Sequence, residues 1–162
     1  MLAVPYNVLF VCTGNSSRSI MAEAILNHRG KPNFNAFSAG SHPVGYVHAH
    51  ALKQLEAARL PTSHLRSKGW NEFARPNAPR MDFVFTVCDS AAREVCPVWP
   101  GQPMTAHWGM PDPGGAEPAQ RERAFRETFV LLDRRISLFC SLPLAALDKL
   151  AIKKEIERIG RE

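Results

Sequence analysis

The apolar positions of this chain follow two patterns that take turns along it. Val8, Leu9, Phe10 and Val11 form a continuous run, which reads as a strand buried on both faces. Ile20, Met21, Ala24, Ile25 and His28 then keep a helical period, so a helix is expected from residue 17 to 28 or 29, stopped by Gly30. Residues 34–39 read as a short second strand ended by Gly40. Residues 48–58 return to the helical pattern through Ala51, Leu52, Leu55 and Ala58, and Pro61 breaks it. A helical turn at 70–73 leads into a loop marked by Pro76 and Pro79. Residues 81–88, MDFVFTVC, form a third buried strand, after which Asp89 is placed to cap a short helix over 90–95 that Pro97 ends. Residues 104–108 are a fourth strand, and the run Pro111-Asp112-Pro113-Gly114-Gly115 is an irregular loop. A long helix over 119–141 directs Phe125, Phe129, Leu132, Ile136 and Phe139 inward and ends at Pro143, and a further helix spans 144–159. Strands that alternate with helices predict an α/β fold, a four-stranded parallel sheet with helices on both faces in three layers.

Composition narrows the function classes. The 162 residues suit one domain, with no internal repeat, low-complexity tract or inter-domain linker. The net charge of +5 favours anionic substrates, but the basic residues are scattered and lack the interleaved aromatics of a nucleic-acid platform. No apolar run is long enough to span a bilayer, and the N-terminal segment lacks the pattern of a signal peptide. A cytoplasmic location without membrane or nucleic-acid partners is therefore expected. In that compartment the four cysteines, Cys12, Cys88, Cys96 and Cys140, are expected to be catalytic or redox-active rather than structural. No Cys-x-x-Cys pair or metal-ligating histidine spacing occurs, so neither metal nor other cofactor is assigned. His48 and His50 read as solvated or capping residues, and Cys140 as core packing.

The chemistry concentrates where the first strand meets the first helix. There Cys12 is followed by Thr13, Gly14, Asn15, Ser16, Ser17, Arg18 and Ser19. The carboxyl end of a strand, just before a helix N-terminus, is where open α/β sheets bind ligands. Gly14 and Asn15 tolerate left-handed backbone, which can curl successive N–H groups into an anion nest. The helix adds free N–H groups and its positive dipole end, and Arg18 adds a two-pronged donor. Residues 13–18 are thus the expected oxyanion cradle. The same positive field is expected to make Cys12 a thiolate at neutral pH, able to attack the central atom of the bound oxyanion.

The Cys-x5-Arg-Ser sequence of Cys12, Arg18 and Ser19 resembles the low-molecular-weight protein tyrosine phosphatases and the arsenate reductases built on the same fold. The resemblance to the reductase branch extends through Ala39-Gly40-Ser41-His42-Pro43, the stretch from Thr62 to Lys68, and His107-Trp108-Gly109 with Asp112-Pro113. It stops near Ser141, so residues 1–141 are expected to form the phosphatase-like domain and 142–162 a helical extension packed on it or projecting from it. It implies that Ser19 hydrogen-bonds the Cys12 sulfur and that Asp112 is the general acid that protonates a leaving oxygen. Some reductases of this branch hold a potassium ion at positions corresponding to Asn15 and Glu23. The further acidic residue they use is not evident near Ser67-Lys68-Gly69.

Two activities share this scaffold. A tyrosine phosphatase, working through a phosphocysteine, is the alternative, but Gly114-Gly115 follow Asp112-Pro113 where aromatic walls are common in that branch, and Ser17 stands where that branch often has a second cysteine. A reductase needs further thiols. The resemblance places them at Cys88 and Cys96, eight residues apart where the branch usually has seven. Arsenate, or phosphate in its place, is the expected ligand. Cys12, Cys88 and Cys96 form the implied thiol relay, with thioredoxin, or glutaredoxin with glutathione, as reductant and the protein acting as a monomer. A non-catalytic oxyanion-binding module would not need Cys12 together with Asp112.

Overall fold

The structure is a computed structural model and describes residues 4–93 and 97–162. Four strands, β1 (Tyr6–Cys12), β2 (Phe34–Gly40), β3 (Phe83–Thr86) and β4 (Met104–His107), make one sheet in the order β2-β1-β3-β4, and every pairing is parallel. The helices are α1 (Arg18–Arg29), α2 (Ala49–Ala57), α3 (Asp89–Arg93), α4 (Arg121–Cys140) and α5 (Lys149–Ile159). This is the predicted α/β architecture. Strands three and four are shorter than predicted because Met81, Asp82, Val87, Cys88 and Trp108 lie outside the ladder. The long C-terminal helix divides into a 3-10 turn over Leu144–Ala146 and α5, which Asp148 caps through its carboxylate to Ala151 N. Two further 3-10 turns follow β4, one of them Pro113–Gly115, predicted as irregular loop.

The strand order places β1 in the middle, and its residues from Val8 to Cys12 are buried without alternation, as a strand covered on both faces must be. On one face, Phe10, Phe83 and Phe85 pack with Trp108 and with Phe139 of α4. At the outer edge of β2, Asn27 of α1 donates through Nδ2 to Ala36 O and accepts through Oδ1 from Ala36 N. On the other face Phe37 meets Phe73, in the 3-10 turn Trp70–Phe73 that the sequence predicted, and Trp70 meets Trp99 edge-on. The α5 helix lies against β4 and α4, burying Ile152, Ile156 and Ile159, and Trp108 Nε1 donates to Ile156 O at 2.9 Å. No helix among the described residues is long and apolar enough to cross a membrane.

The parallel register brings the carboxyl ends of all four strands to one side of the sheet. Cys12 ends β1 beside Gly40 of β2. A methyl group on Gly40 would run into the carbonyl of Thr13 and come within 3.0 Å of Asn15, so the close approach of β2 to the loop after Cys12 requires glycine there.

Candidate active site

The loop between β1 and α1 turns its carbonyls away from its own concavity. The N–H groups of Ser41, His42, Val44 and His48 donate to the carbonyls of Cys12, Thr13, Gly14 and Ser16, at 2.9 to 3.3 Å. Asn15 takes the left-handed conformation, with φ of 46°, and is the only residue of this loop that does; Gly14 does not. At the helix start, Ser17 makes no side-chain cap and the first turn holds no acidic residue. The N–H donors and positive end of α1 are thus left for an anion.

Behind the loop a chain of directed hydrogen bonds ends on sulfur. Lys68 N donates to Asn15 Oδ1 at 2.9 Å, and Asn15 Nδ2 donates to Ser19 Oγ at 2.8 Å. With its oxygen accepting, Ser19 turns its hydroxyl hydrogen to Cys12 Sγ, 2.8 Å away. Asn15 N donates to the same sulfur at 3.2 Å. Asn15 and Ser19 are wholly buried and Cys12 is 3% exposed.

That burial changes the electrostatic picture expected from the sequence. Removal from water is the largest influence on the Cys12 thiol and pushes its pKa up. The Ser19 hydrogen bond is the strongest influence against it, and the Arg18 charge contributes less. The guanidinium is engaged elsewhere, since Arg18 Nη1 donates to Met110 O at 3.0 Å. The positive field of the loop, the helix end and Arg18 is thus opposed by burial, and the Ser19 hydrogen bond is the strongest influence toward the thiolate. Ser19→Ala is expected to raise the midpoint of Cys12 alkylation by about 1 to 2 pH units, the worth of one hydrogen bond to a charged group. The check is the pH profile of iodoacetamide labelling at Cys12, where an unmoved midpoint counts against this role.

The buried pair beneath the loop was not legible as such. Lys68 Nζ lies 3.6 Å from Glu23 Oε1, 3.4 Å from Ser38 Oγ and 2.9 Å from Arg66 O, and Ser38 Oγ donates to Glu23 Oε1 at 2.5 Å. Burial pushes the Lys68 ammonium below its ordinary pKa, with Glu23 pulling the other way. A potassium ion does not fit this pocket, because the lysine ammonium already takes the Glu23 and Ser38 oxygens. Among the described residues no cluster of three His, Cys, Asp or Glu side chains could hold a metal.

The loop opens into a cavity of about 490 Å³ lined by residues 12–18, Val44, Cys88, Asp89, Ser90, Met110, Pro111 and Asp112. The structure thus brings Cys12, Thr13, Gly14, Asn15, Ser16, Ser17, Arg18, Cys88 and Asp112 around one space, with Ser19 behind the sulfur. Cys88 is buried, and its Sγ lies 3.5 Å from Thr13 Oγ1. Cys12, Cys88 and Cys140 are all free thiols. Cys96 lies outside the described residues. The exposed Asp112 accepts from Gly114 N at 2.9 Å, which starts the turn Pro113–Gly115 and fixes the carboxylate at the mouth. Arg135 of α4, buried, donates to Trp108 O at 3.1 Å and Gly109 O at 3.2 Å, holding the backbone that leads into the Asp112 turn. Its place on the inner face of an otherwise apolar helix stripe was the signal in the sequence. His48 takes the capping role, its Nδ1 accepting from His50 N at 3.1 Å. Asp89 was expected as a cap; it is instead the first residue of α3, and its carboxylate bonds His107 Nε2 at 2.7 Å.

Residues 7–155 match the low molecular weight phosphotyrosine protein phosphatase family. An arsenate reductase of Shouchella clausii is 35% identical over 116 residues, covering 72% of this chain and 80% of that protein. One of Halalkalibacterium halodurans is 33% identical over 134 residues, 82% of this chain and 93% of that one. Among solved structures, the Corynebacterium glutamicum thioredoxin-dependent arsenate reductase superposes with a TM-score of 0.65 at 27% identity, over 89% of this chain and 65% of that one. A low molecular weight protein tyrosine phosphatase from T. tengcongensis superposes with a TM-score of 0.63 at 26% identity, over 82% and 98%. A cysteine-bearing loop at the end of the first parallel strand, a carboxylate lining the same cavity and a match over almost the whole length agree on one conclusion: this chain belongs to the low molecular weight phosphotyrosine protein phosphatase family.

Proposed function

We propose that this protein reduces arsenate to arsenite. The observation that carries the reading is the second buried thiol, Cys88, lining the same cavity as Cys12, in a chain whose relatives include bacterial arsenate reductases. Hydrolysis of a phosphate ester through Cys12, Arg18 and Asp112 requires no second thiol. The pair Gly114-Gly115 beside Asp112 also leaves that side of the mouth without an aromatic wall.

In this mechanism arsenate enters the cradle of residues 13–18, held by loop N–H groups, by the start of α1 and by the Arg18 guanidinium, which exchanges the Met110 carbonyl for the oxyanion. Cys12 Sγ, its charge held by Ser19 and Asn15 N–H, attacks arsenic. Asp112 gives a proton to the departing oxygen, which leaves as water. Cys88 then attacks the Cys12 sulfur. The new S–S bond displaces the arsenic, which takes the S–As electron pair and leaves as arsenite. In sum, arsenate and two thiols give arsenite, water and a Cys12–Cys88 disulfide. Exchange with Cys96 passes the disulfide on to thioredoxin, or to glutaredoxin with glutathione. Residues 142–162 cover β4 through α5, which packs on β4 and α4.

The test is a coupled arsenate-reduction assay run with thioredoxin and glutaredoxin systems, with phosphate-ester hydrolysis measured alongside. Arsenite formation with at least one system, faster than ester hydrolysis, is the expected result. Ester hydrolysis without arsenite formation would return the protein to the phosphatase reading.

A further inference from the structure

Outside the cavity, a three-residue clamp encloses the segment that carries Cys88. His107, the last residue of β4, stands beside Thr86, its register partner at the end of β3. Its Nδ1 lies 2.7 Å from Thr86 Oγ1 and its Nε2 lies 2.7 Å from Asp89 Oδ1. A carboxylate can only accept, so Nε2 carries hydrogen, and in the neutral ring Nδ1 accepts from the threonine hydroxyl. One imidazole thereby ties together the residues two before and one after Cys88. Between these ties the chain leaves the ladder, turns through Val87 and Cys88 and starts α3. Val87 N donates to Val11 O at 2.9 Å, and Cys88 Sγ is set against Thr13 at the edge of the cradle.

The clamp is not needed to bury the core. The His107 side chain is 41% exposed and that of Asp89 is 74% exposed. A five-residue helix such as α3 has little stability of its own, so ties at its first residue matter to where that residue sits. Gly109 belongs to the same arrangement. A Cβ there would fall against His107 Nε2 and 2.8 Å from Asp89 Oδ1. The two polar side chains can close on each other only because residue 109 has none.

We propose that His107 is a positioning residue for Cys88: by joining Thr86 to Asp89 it holds the second thiol in line to attack the Cys12 sulfur. The proposal rests on the thiol-relay reading above and adds a residue to it. His107 touches neither oxyanion nor sulfur. The step it serves forms the Cys12–Cys88 bond and breaks the Cys12–arsenic bond, arsenic taking both electrons and the Cys88 proton passing to solvent. Displacement of a nucleophile by about 1 Å costs on the order of 100-fold in rate.

The experiment is a single turnover of the full chain with arsenate and no reductant. Samples are quenched with an alkylating agent at increasing times, and the disulfides of Cys88, to Cys12 and after exchange to Cys96, are measured together by mass mapping. His107→Ala and Gly109→Ala break the clamp from opposite sides. Both are expected to form the disulfide at least ~10-fold more slowly than the unmodified protein, while inorganic phosphate protects Cys12 from alkylation with an affinity changed less than about two-fold. Disulfide formation at the unmodified rate in both variants overturns the proposal. So does an equal loss of phosphate affinity, which would mean general damage to the site. Absence of any Cys88 disulfide in the unmodified protein overturns the relay itself, and this proposal with it, before any variant is compared.

Discussion

Cys12→Ser is expected to abolish arsenate reduction and phosphate-ester hydrolysis together, by at least ~10³-fold in turnover. Both reactions begin with attack by the same sulfur. A serine hydroxyl at this position would still receive the Ser19 hydroxyl and the Asn15 N–H, so the pocket would keep its shape. Oxygen lacks what the reaction needs, since a hydroxyl stays protonated where a thiol can ionise. Phosphate binding should therefore survive, because its donors are the loop N–H groups, α1 and Arg18. Measuring oxyanion affinity beside turnover separates the two effects. Residual arsenate reduction above a few per cent would place the nucleophile elsewhere.

Cys88→Ser divides the two activities that Cys12→Ser removes together. Catalytic arsenate reduction should stop, because no second thiol can displace arsenic from Cys12. Slow hydrolysis of a phosphate ester should persist, since Cys12, Arg18 and Asp112 suffice for it. The substituted residue is 3% exposed beside Thr13, and a serine there can still meet the threonine hydroxyl, so the fold is expected to hold. Arsenite production with thioredoxin and with glutaredoxin, compared with hydrolysis of a phenyl phosphate by the same sample, makes the measurement. Arsenate reduction at the unmodified rate would show that the relay does not pass through Cys88.

Much of this was legible in the chain itself. Strands buried on both faces announce themselves as continuous runs, so β1 and the core of β3 could be read directly, and the Cys-x5-Arg spacing marked the loop between β1 and α1. What escaped was whatever depends on residues far apart in sequence. The Lys68 ammonium and Glu23 are 45 positions apart and meet only because β2 lies between α1 and the chain at residues 66–69. Asp89 looked like a helix cap because local rules see only local partners; His107, 18 positions away, was the stronger one. The balance of influences on the Cys12 thiol escaped for the same reason. The sequence shows an arginine six positions on, but burial and the engagement of that arginine by the Met110 carbonyl belong to the folded molecule.

The two outer strands of the sheet bear on how a redox partner can approach. The unpaired rim of a sheet is a template onto which another protein can lay a strand of its own. Here β4 has α5 beside it, and the Lys153 ammonium takes the Thr105 carbonyl. At the opposite rim Gly40 N donates to Lys68 O and Gly40 bridges Gly69, so the end of β2 nearest the cavity is also occupied. Backbone augmentation is thus closed at β4 and at the functional end of β2. For the reductant of the proposed relay, recognition would fall to side chains around the cavity mouth. Such a surface suits a brief encounter that exchanges one disulfide and then lets go.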